Sequence, residues 1–168
     1  MENIFTRRSI RKYENRQVEK EKIEKLMRAA MQAPSAGNQQ PWEFLVIENK
    51  ESLVKLSKVS PYAGMLAEAP LAIIVLSNAE KMRFPEYWQQ DLSAATQNIL
   101  LEAVELGLGS VWLGISPLKE REDFIKEIFN LPPQITPFNI IVLGYPSEGQ
   151  ENKFVDRYDE LRVHFEKY

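Results

Sequence analysis

Three arginines and a serine occupy five consecutive positions, Arg7-Arg8-Ser9-Ile10-Arg11. A guanidinium group presents a planar fork of N–H donors that matches the oxygens of a phosphate, and a hydroxyl adds another donor. In an extended segment, alternation would place Arg7, Ser9 and Arg11 on one side. These residues are therefore candidates for a clamp on a phosphorylated ligand. The alternative is a solvated basic stretch at the surface.

A turn-rich loop follows at residues 34–42, with the sequence Pro-Ser-Ala-Gly-Asn-Gln-Gln-Pro-Trp. Such residues favour constrained turns whose backbone N–H groups can approach a ligand, and Trp42 offers an aromatic wall. Pro34, Ser35, Ala36 and Asn38 are the candidate binding residues in this loop. The alternative is a helix stop followed by a simple turn, with Trp42 packed in the core.

Two later segments could complete the site. Leu113 and Gly114 end a predicted strand, where a glycine lets backbone amides approach a planar ring. The glycines around them lack the strand-turn-helix order of a dinucleotide fingerprint. Lys153 and Arg157 could add charge-assisted bonds to a phosphate. The alternative for these two residues is an exposed charged tail.

The composition narrows the chemistry. The chain has no cysteine and only one histidine, His164, which excludes thiol nucleophiles, iron–sulfur clusters and the usual histidine-rich metal sites. Any redox chemistry must therefore come from a bound cofactor. The formal net charge of −3 argues against a protein that binds nucleic acid by neutralising its phosphates.

The length of 168 residues and the apolar content of 44% predict one packed core, and hence a single domain over residues 1–168. The longest apolar run, residues 69–76, is too short to cross a bilayer, and the first residues are charged. We therefore expect a cytoplasmic protein that has no membrane partner.

Hydrophobic periodicity gives the elements that must position the candidate residues. It predicts helices at 19–33, 51–57, 85–108 and 121–129, and strands at 44–47, 70–77, 110–115 and 135–143. The continuous apolar run at 70–77 is typical of a central strand, and Pro137 favours an edge or a bulge. Helix 85–108 is predicted to be buried nearly all round. Strands separated by helices indicate an α/β or α+β sandwich.

The last nineteen or so residues form a tail from Gln150 to Tyr168 that is charged and aromatic by turns. It has too little apolar content for a core of its own, yet it carries too many aromatic side chains to be left in water. We expect it to pack onto another surface, for which a partner subunit is a good candidate.

Several of these motifs resemble the FMN-dependent nitroreductase family, in the family's order. The opening matches an Arg-x-Ser-x-Arg/Lys pattern, and the loop matches Pro-Ser-x-x-Asn-x-x-Pro-Trp. Residues 105–109 with 111–114 look like the family's central segment, as does the Leu-Gly-Tyr-Pro at 143–146 that precedes the Lys/Arg-bearing tail. These matches extend over nearly the whole chain.

The resemblance implies an α+β fold in which helices surround a central, mostly antiparallel sheet, and a homodimer that exchanges its C-terminal tails. Two FMN molecules would lie at the subunit interface. Phosphate and ribityl groups would be held by Arg7, Arg8, Ser9 and Arg11 with Lys153 or Arg157, while Ser35, Ala36 and Asn38 would come from the other chain. Amides of Leu113 and Gly114 would lie near the reactive edge of the isoalloxazine.

The implied activity is ping-pong reduction of a small-molecule electron acceptor, such as a nitroaromatic or a quinone, with NADH or NADPH as donor. The flavin carries the chemistry, so no side chain is assigned as a catalytic acid or base. Other hypotheses are a protein that stores or senses FMN without turnover, a flavin-dependent reductive dehalogenase, and a protein-interaction module with a basic arm.

Overall fold

The protein is built on one four-stranded sheet. The computed structural model describes residues 2–168, and its strands are β1 (Trp42–Ile47), β2 (Leu71–Asn78), β3 (Gly109–Gly114) and β4 (Ile135–Gly144). Their order is β1-β2-β4-β3, and every neighbouring pair is antiparallel. The predicted α+β class with an antiparallel sheet is confirmed.

Helices cover both faces of the sheet. They are α1 (Asn3–Thr6), α2 (Lys20–Met31), α3 (Lys50–Leu56), α4 (Trp88–Glu105) and α5 (Lys119–Phe129). α2 and α4 pack against one face, whereas α3 and α5 pack against the other. Short 3₁₀ turns lie between the helices and strands at Ala36–Asn38, Gly64–Ala67, Ala79–Lys81 and Pro85–Tyr87, and another lies in the C-terminal tail at Glu160–Arg162.

β2 holds the two cores together. Successive side chains of a strand point to opposite faces, so alternate residues of β2 enter the two cores, and every residue of the strand is buried. The prediction that this segment is a central strand is confirmed. Pro137 is accommodated by a bulge: Val75 pairs with Asn139 and Leu76 with Pro137, which leaves Phe138 as the extra residue.

The prediction that α4 is buried nearly all round is wrong for the single chain. One side of the helix lies against α2 and the sheet, but Gln97 on the other side is exposed and Leu101 is only partly buried. The reason is that no element of residues 2–168 covers that side. The amide of Asn98 is satisfied within the chain, since its Nδ2 donates to the carbonyl oxygen of Ala29 at 3.0 Å.

A glycine lets the arginine-rich segment lie directly against β3. Ser9 forms a parallel bridge with Ser110, and the N–H of Ile10 donates to the carbonyl oxygen of Ser110 at 3.0 Å. The side chain of Ile10 is buried over Gly109, where an added Cβ would stand 2.6 Å from Ile10 Cγ2. Only a residue without a side chain permits this approach.

We expect Gly109→Ala to lower the free energy of unfolding by about 1–3 kcal/mol, because the new methyl group would overpack the site against Ile10. Urea denaturation measures this change. Gly64→Ala is the matched control, since a Cβ at Gly64 meets nothing within 4 Å. Equal stability of the two variants would contradict the packing argument.

Candidate functional site

The first part of the candidate site is a cavity of about 380 Å³ between the N-terminal segment and the tail. Its cationic lining consists of Arg7, Arg8 and Arg157. The tail is held there by an Asn152 side chain that accepts from the N–H of Arg8 at 3.0 Å. The ring of Phe154 also lies 6.2 Å from that of Phe5. The structure thus joins two segments that are far apart in sequence.

This cavity carries net positive charge, since Asp156 is the one acidic residue in its lining beside three arginines. Among residues 2–168, no carboxylate lies within 4 Å of the guanidinium nitrogens of Arg7, Arg8 or Arg157. Burial, followed by the charges of Arg157 and Arg8, lowers the pKa of Arg7 from its ordinary value. Nε of Arg8 is buried without a hydrogen-bond partner. Such a cluster suits an anion with several oxygens.

The two tail candidates differ in position. Both side chains are exposed, but Arg157 lines the cavity with Arg7 and Arg8, whereas Nζ of Lys153 lies 3.7 Å from a carboxylate oxygen of Glu151. The structure therefore brings Arg157, and not Lys153, to the arginine cluster of the same chain.

A second cavity, of about 370 Å³, lies over the end of β3. Its lining includes Arg11, Trp112, Leu113, Gly114 and Arg121. An added Cβ at Gly114 would meet nothing within 4 Å, so the backbone there is open to the cavity. Nη1 of Arg121 donates to the Gly114 carbonyl oxygen at 2.8 Å. The predicted neighbours Arg11, Leu113 and Gly114 do meet here.

The expectation that Arg7, Ser9 and Arg11 share one side is wrong. Arg7 caps α1 at its C-terminal end, so the regular alternation of an extended segment begins only after it. Arg7 turns to the first cavity with Arg8, and Arg11 lines the second. Ser9 is exposed between them.

A buried carboxylate holds the loop at residues 34–42. Asp91 accepts a hydrogen bond from the N–H of Ala36 at 2.9 Å and another from Nε2 of Gln39 at 2.6 Å. Oε1 of Gln39 in turn accepts from the N–H groups of Arg83 and Phe84, at 3.0 and 2.9 Å. Asp91 and Gln39 are both buried, so these bonds are shielded from water.

The loop has an unusual backbone. Gly37, Asn38 and Gln40 all have φ near +50°, a region that residues other than glycine rarely adopt. Strain of this kind is concentrated at binding sites. Pro34, Ser35 and Ala36 line a cavity of about 260 Å³ beside Asp91, and Asn38 is exposed. Trp42 is buried in the core, as the simpler interpretation predicted.

α4 keeps the loop and the N-terminal segment apart. Ala36 is bonded to Asp91 near the start of this helix, and Nδ2 of Asn3 donates to Oε2 of Glu105 at its end, at 2.8 Å. Fourteen residues at 1.5 Å each separate the two attachment points by about 21 Å. The candidate residues of one chain therefore form separate groups.

Sequence reasoning missed three residues of the site: Gln39, Asp91 and Arg121. An acidic residue in the first turn of an apolar helix is a common capping feature, so nothing in the pattern marked Asp91 as the anchor of a loop 55 positions earlier. Arg121 lies on a charged helix end, where an arginine is usually solvated.

The comparisons with known proteins decide the family. The model of the nitroreductase family matches residues 4–61 and 54–145. The chain belongs to the nitroreductase family. This membership confirms the predicted family and, with it, the predicted class of enzyme, a nitroreductase-type oxidoreductase. Within residues 2–168, no helix combines the length and the apolar character that crossing a membrane requires.

Relatives match over almost their full length. A Methanothermobacter thermautotrophicus protein, provisionally named an NADH dehydrogenase/NAD(P)H nitroreductase, is 46% identical over 100% of this chain and 87% of its own. A structure from Clostridium acetobutylicum, provisionally named an NADH oxidase, is 60% identical with a TM-score of 0.96, covering 99% of both chains. The structure of an FMN-dependent nitroreductase from Clostridium difficile R20291 is 35% identical, with a TM-score of 0.90, and the match covers 99% of this chain and 98% of that one. These names agree with the predicted cofactor.

We expect Asp91→Ala to lower the free energy of unfolding by about 2–4 kcal/mol, because two buried donors lose their acceptor. Hydrogen exchange of residues 34–42 should also accelerate. The free energy of unfolding of Asp91→Asn should fall between those of wild type and Asp91→Ala, since the amide retains an acceptor for the N–H of Ala36 but directs an NH₂ group at Gln39.

The control is Asp123→Ala, which removes an exposed carboxylate paired with Lys119 and should cost less than about 1 kcal/mol. If Asp91→Ala behaved like this surface variant, Asp91 would not anchor the loop.

Proposed function

We propose that this protein is an FMN-dependent NAD(P)H oxidoreductase that reduces nitroaromatic, quinone or similar electron acceptors, and that it works as a homodimer. The observation that carries the proposal is the cluster of Arg7, Arg8 and Arg157, three guanidinium groups without a carboxylate partner in the described chain. An anionic phosphate would relieve their mutual repulsion and could accept from the unpartnered Nε–H of Arg8.

The other candidate residues fit the rest of FMN. Ser9, between the two arginine-lined cavities, would reach the ribityl chain, and Arg11 would approach the ring from its own cavity. The open backbone at Leu113 and Gly114 would receive the edge of the isoalloxazine. The loop that carries Pro34, Ser35, Ala36 and Asn38 borders a separate cavity, and in this proposal it is supplied by the second chain.

FMN held by these residues would supply the hydride and electron transfer chemistry of the proposed ping-pong sequence, in which NAD(P)H and then the electron acceptor would occupy the same site. The chain itself would bind the flavin and orient its ring. Its arginines hold the phosphate, and the backbone of Gly114 lies at the ring edge. The one histidine, His164, is exposed in the tail beside Tyr168, so the proposal assigns no side chain to proton transfer.

The proposed homodimer would cover two surfaces that the described chain leaves uncovered. The uncovered side of α4 carries Leu101, and the tail leaves Tyr158, Leu161 and Phe165 at least three-quarters exposed. Apolar surface of this extent normally marks an interface. Exchange of the residues after Arg157 across the dimer would cover both features, while residues 152–157 would keep their packing on the N-terminal segment of their own chain.

The proposal is tested by the absorbance spectrum of the purified chain reconstituted with FMN. We expect one FMN per chain, loss of the flavin absorbance on anaerobic addition of NADH or NADPH, and recovery on addition of a quinone or nitroaromatic. A coloured protein that neither nucleotide bleaches would instead be a store or sensor of FMN. A protein that ignores FMN would contradict the proposal.

We expect Arg157→Gln to raise the Kd for FMN about 10-fold or more, because it removes a charge-assisted bond worth about 1.5–3 kcal/mol. Lys153→Gln is the matched control in the same tail and should change the Kd less than about 3-fold, since Lys153 is exposed beside Glu151. Isothermal titration of the flavin-free protein measures both. A larger effect of Lys153→Gln than of Arg157→Gln would mean that Lys153, and not Arg157, contacts the phosphate.

A further inference from the structure

Arg121 stands at the open end of β3 and has no role in the proposed flavin clamp. It is the third residue of α5, and its Nη1 donates to the Gly114 carbonyl oxygen at 2.8 Å. This bond fixes the guanidinium beside the backbone that would face the reactive edge of the ring. A guanidinium has five N–H donors, so the remaining N–H groups are available to another ligand.

The cavity that contains Arg121 has a one-sided charge. Its lining includes two arginines, Arg11 and Arg121, and no acidic residue. Among residues 2–168, no carboxylate lies within 4 Å of the guanidinium nitrogens of Arg121, although Glu120 and Glu122 flank it in sequence. Trp112 and Tyr62 add aromatic surface to the same walls.

We propose that Arg121 forms an anion subsite that selects electron acceptors carrying a carboxylate on a planar ring. The inference rests on the proposed function, because it needs an acceptor to bind above Gly114. A planar acceptor would lie along the flavin and the aromatic side chains of Trp112 and Tyr62. Its carboxylate would accept hydrogen bonds from the remaining N–H groups of Arg121. The fixed fork of Arg121 suits the two oxygens of a carboxylate.

A second phosphate contact is the less favoured interpretation of Arg121. The phosphate has its own cluster at Arg7, Arg8 and Arg157 in a different cavity, and Arg121 lies with Leu113 and Gly114, at the ring end of the proposed site. Arg121 is therefore placed where an acceptor, rather than the phosphate of FMN, would meet it.

The test compares two acceptors of the same shape, 4-nitrobenzoate and the neutral 4-nitrobenzyl alcohol, with the FMN-loaded enzyme. We expect wild type to favour the carboxylate in kcat/KM, and Arg121→Gln to lower that preference about 10-fold. Arg121→Lys should retain part of it. Lys55→Gln, which removes an exposed positive charge on α3, should leave the preference unchanged.

A binding measurement gives a second readout. Benzoate, which is not reduced, should perturb the flavin spectrum of the oxidised enzyme with a Kd about 10-fold lower than that of neutral benzamide, and Arg121→Gln should abolish the difference. If Arg121→Gln no longer binds FMN, the comparison is made with wild type alone. Equal Kd values for benzoate and benzamide would then contradict the subsite.

The outcomes separate the two proposals. If wild type is reduced by NADH and turns over the neutral acceptor but shows no preference for the carboxylate, the subsite is wrong and the proposed function stands. If Arg121→Gln slows both acceptors by the same factor, Arg121 acts on the flavin or on the backbone of Gly114, and the subsite is again wrong. If the chain binds no FMN, both proposals fail together.

Discussion

The spacing that α4 imposes is the constraint on which the proposed site depends. The helix is rigid over eighteen residues, and hydrogen bonds at Asp91 and Glu105 attach the loop and the N-terminal segment near its two ends. The loop and the N-terminal segment of one chain are thus attached about 21 Å apart along the helix, a spacing that favours a site shared by two chains. Two chains placed side by side in opposite senses would bring the loop of one to the arginines of the other, which is the arrangement that the proposed homodimer uses.

Much of the fold could be predicted from the sequence because the patterns were local. β2 has an unbroken apolar run that only a strand covered on both faces needs, and Pro137 marked the bulge in β4. The side of α4 that faces away from the core misled the same reasoning. The mixture of polar and apolar residues on that side does not indicate whether its packing partners belong to the same chain or to a second chain.

The candidate site was predictable only where chemistry is visible in a short motif. The arginines at 7, 8 and 11 and the loop at 34–42 could be singled out in this way, whereas their division between two cavities could not, because it depends on where α1 ends. Asp91 and Arg121 escaped prediction for another reason: each acts through a backbone group of a distant segment, Ala36 and Gly114, and such contacts exist only after the chain has folded.

The like-charged cluster at Arg7, Arg8 and Arg157 has a consequence for the life of the protein. Without an anion these like charges repel one another, and in the proposed site the binding of the flavin phosphate would remove that penalty. Whatever binds only the native form shifts the folding equilibrium toward it by mass action. The concentration of FMN would then influence how long newly synthesised chains survive proteolysis. The abundance of the enzyme would follow the supply of the vitamin from which FMN is made.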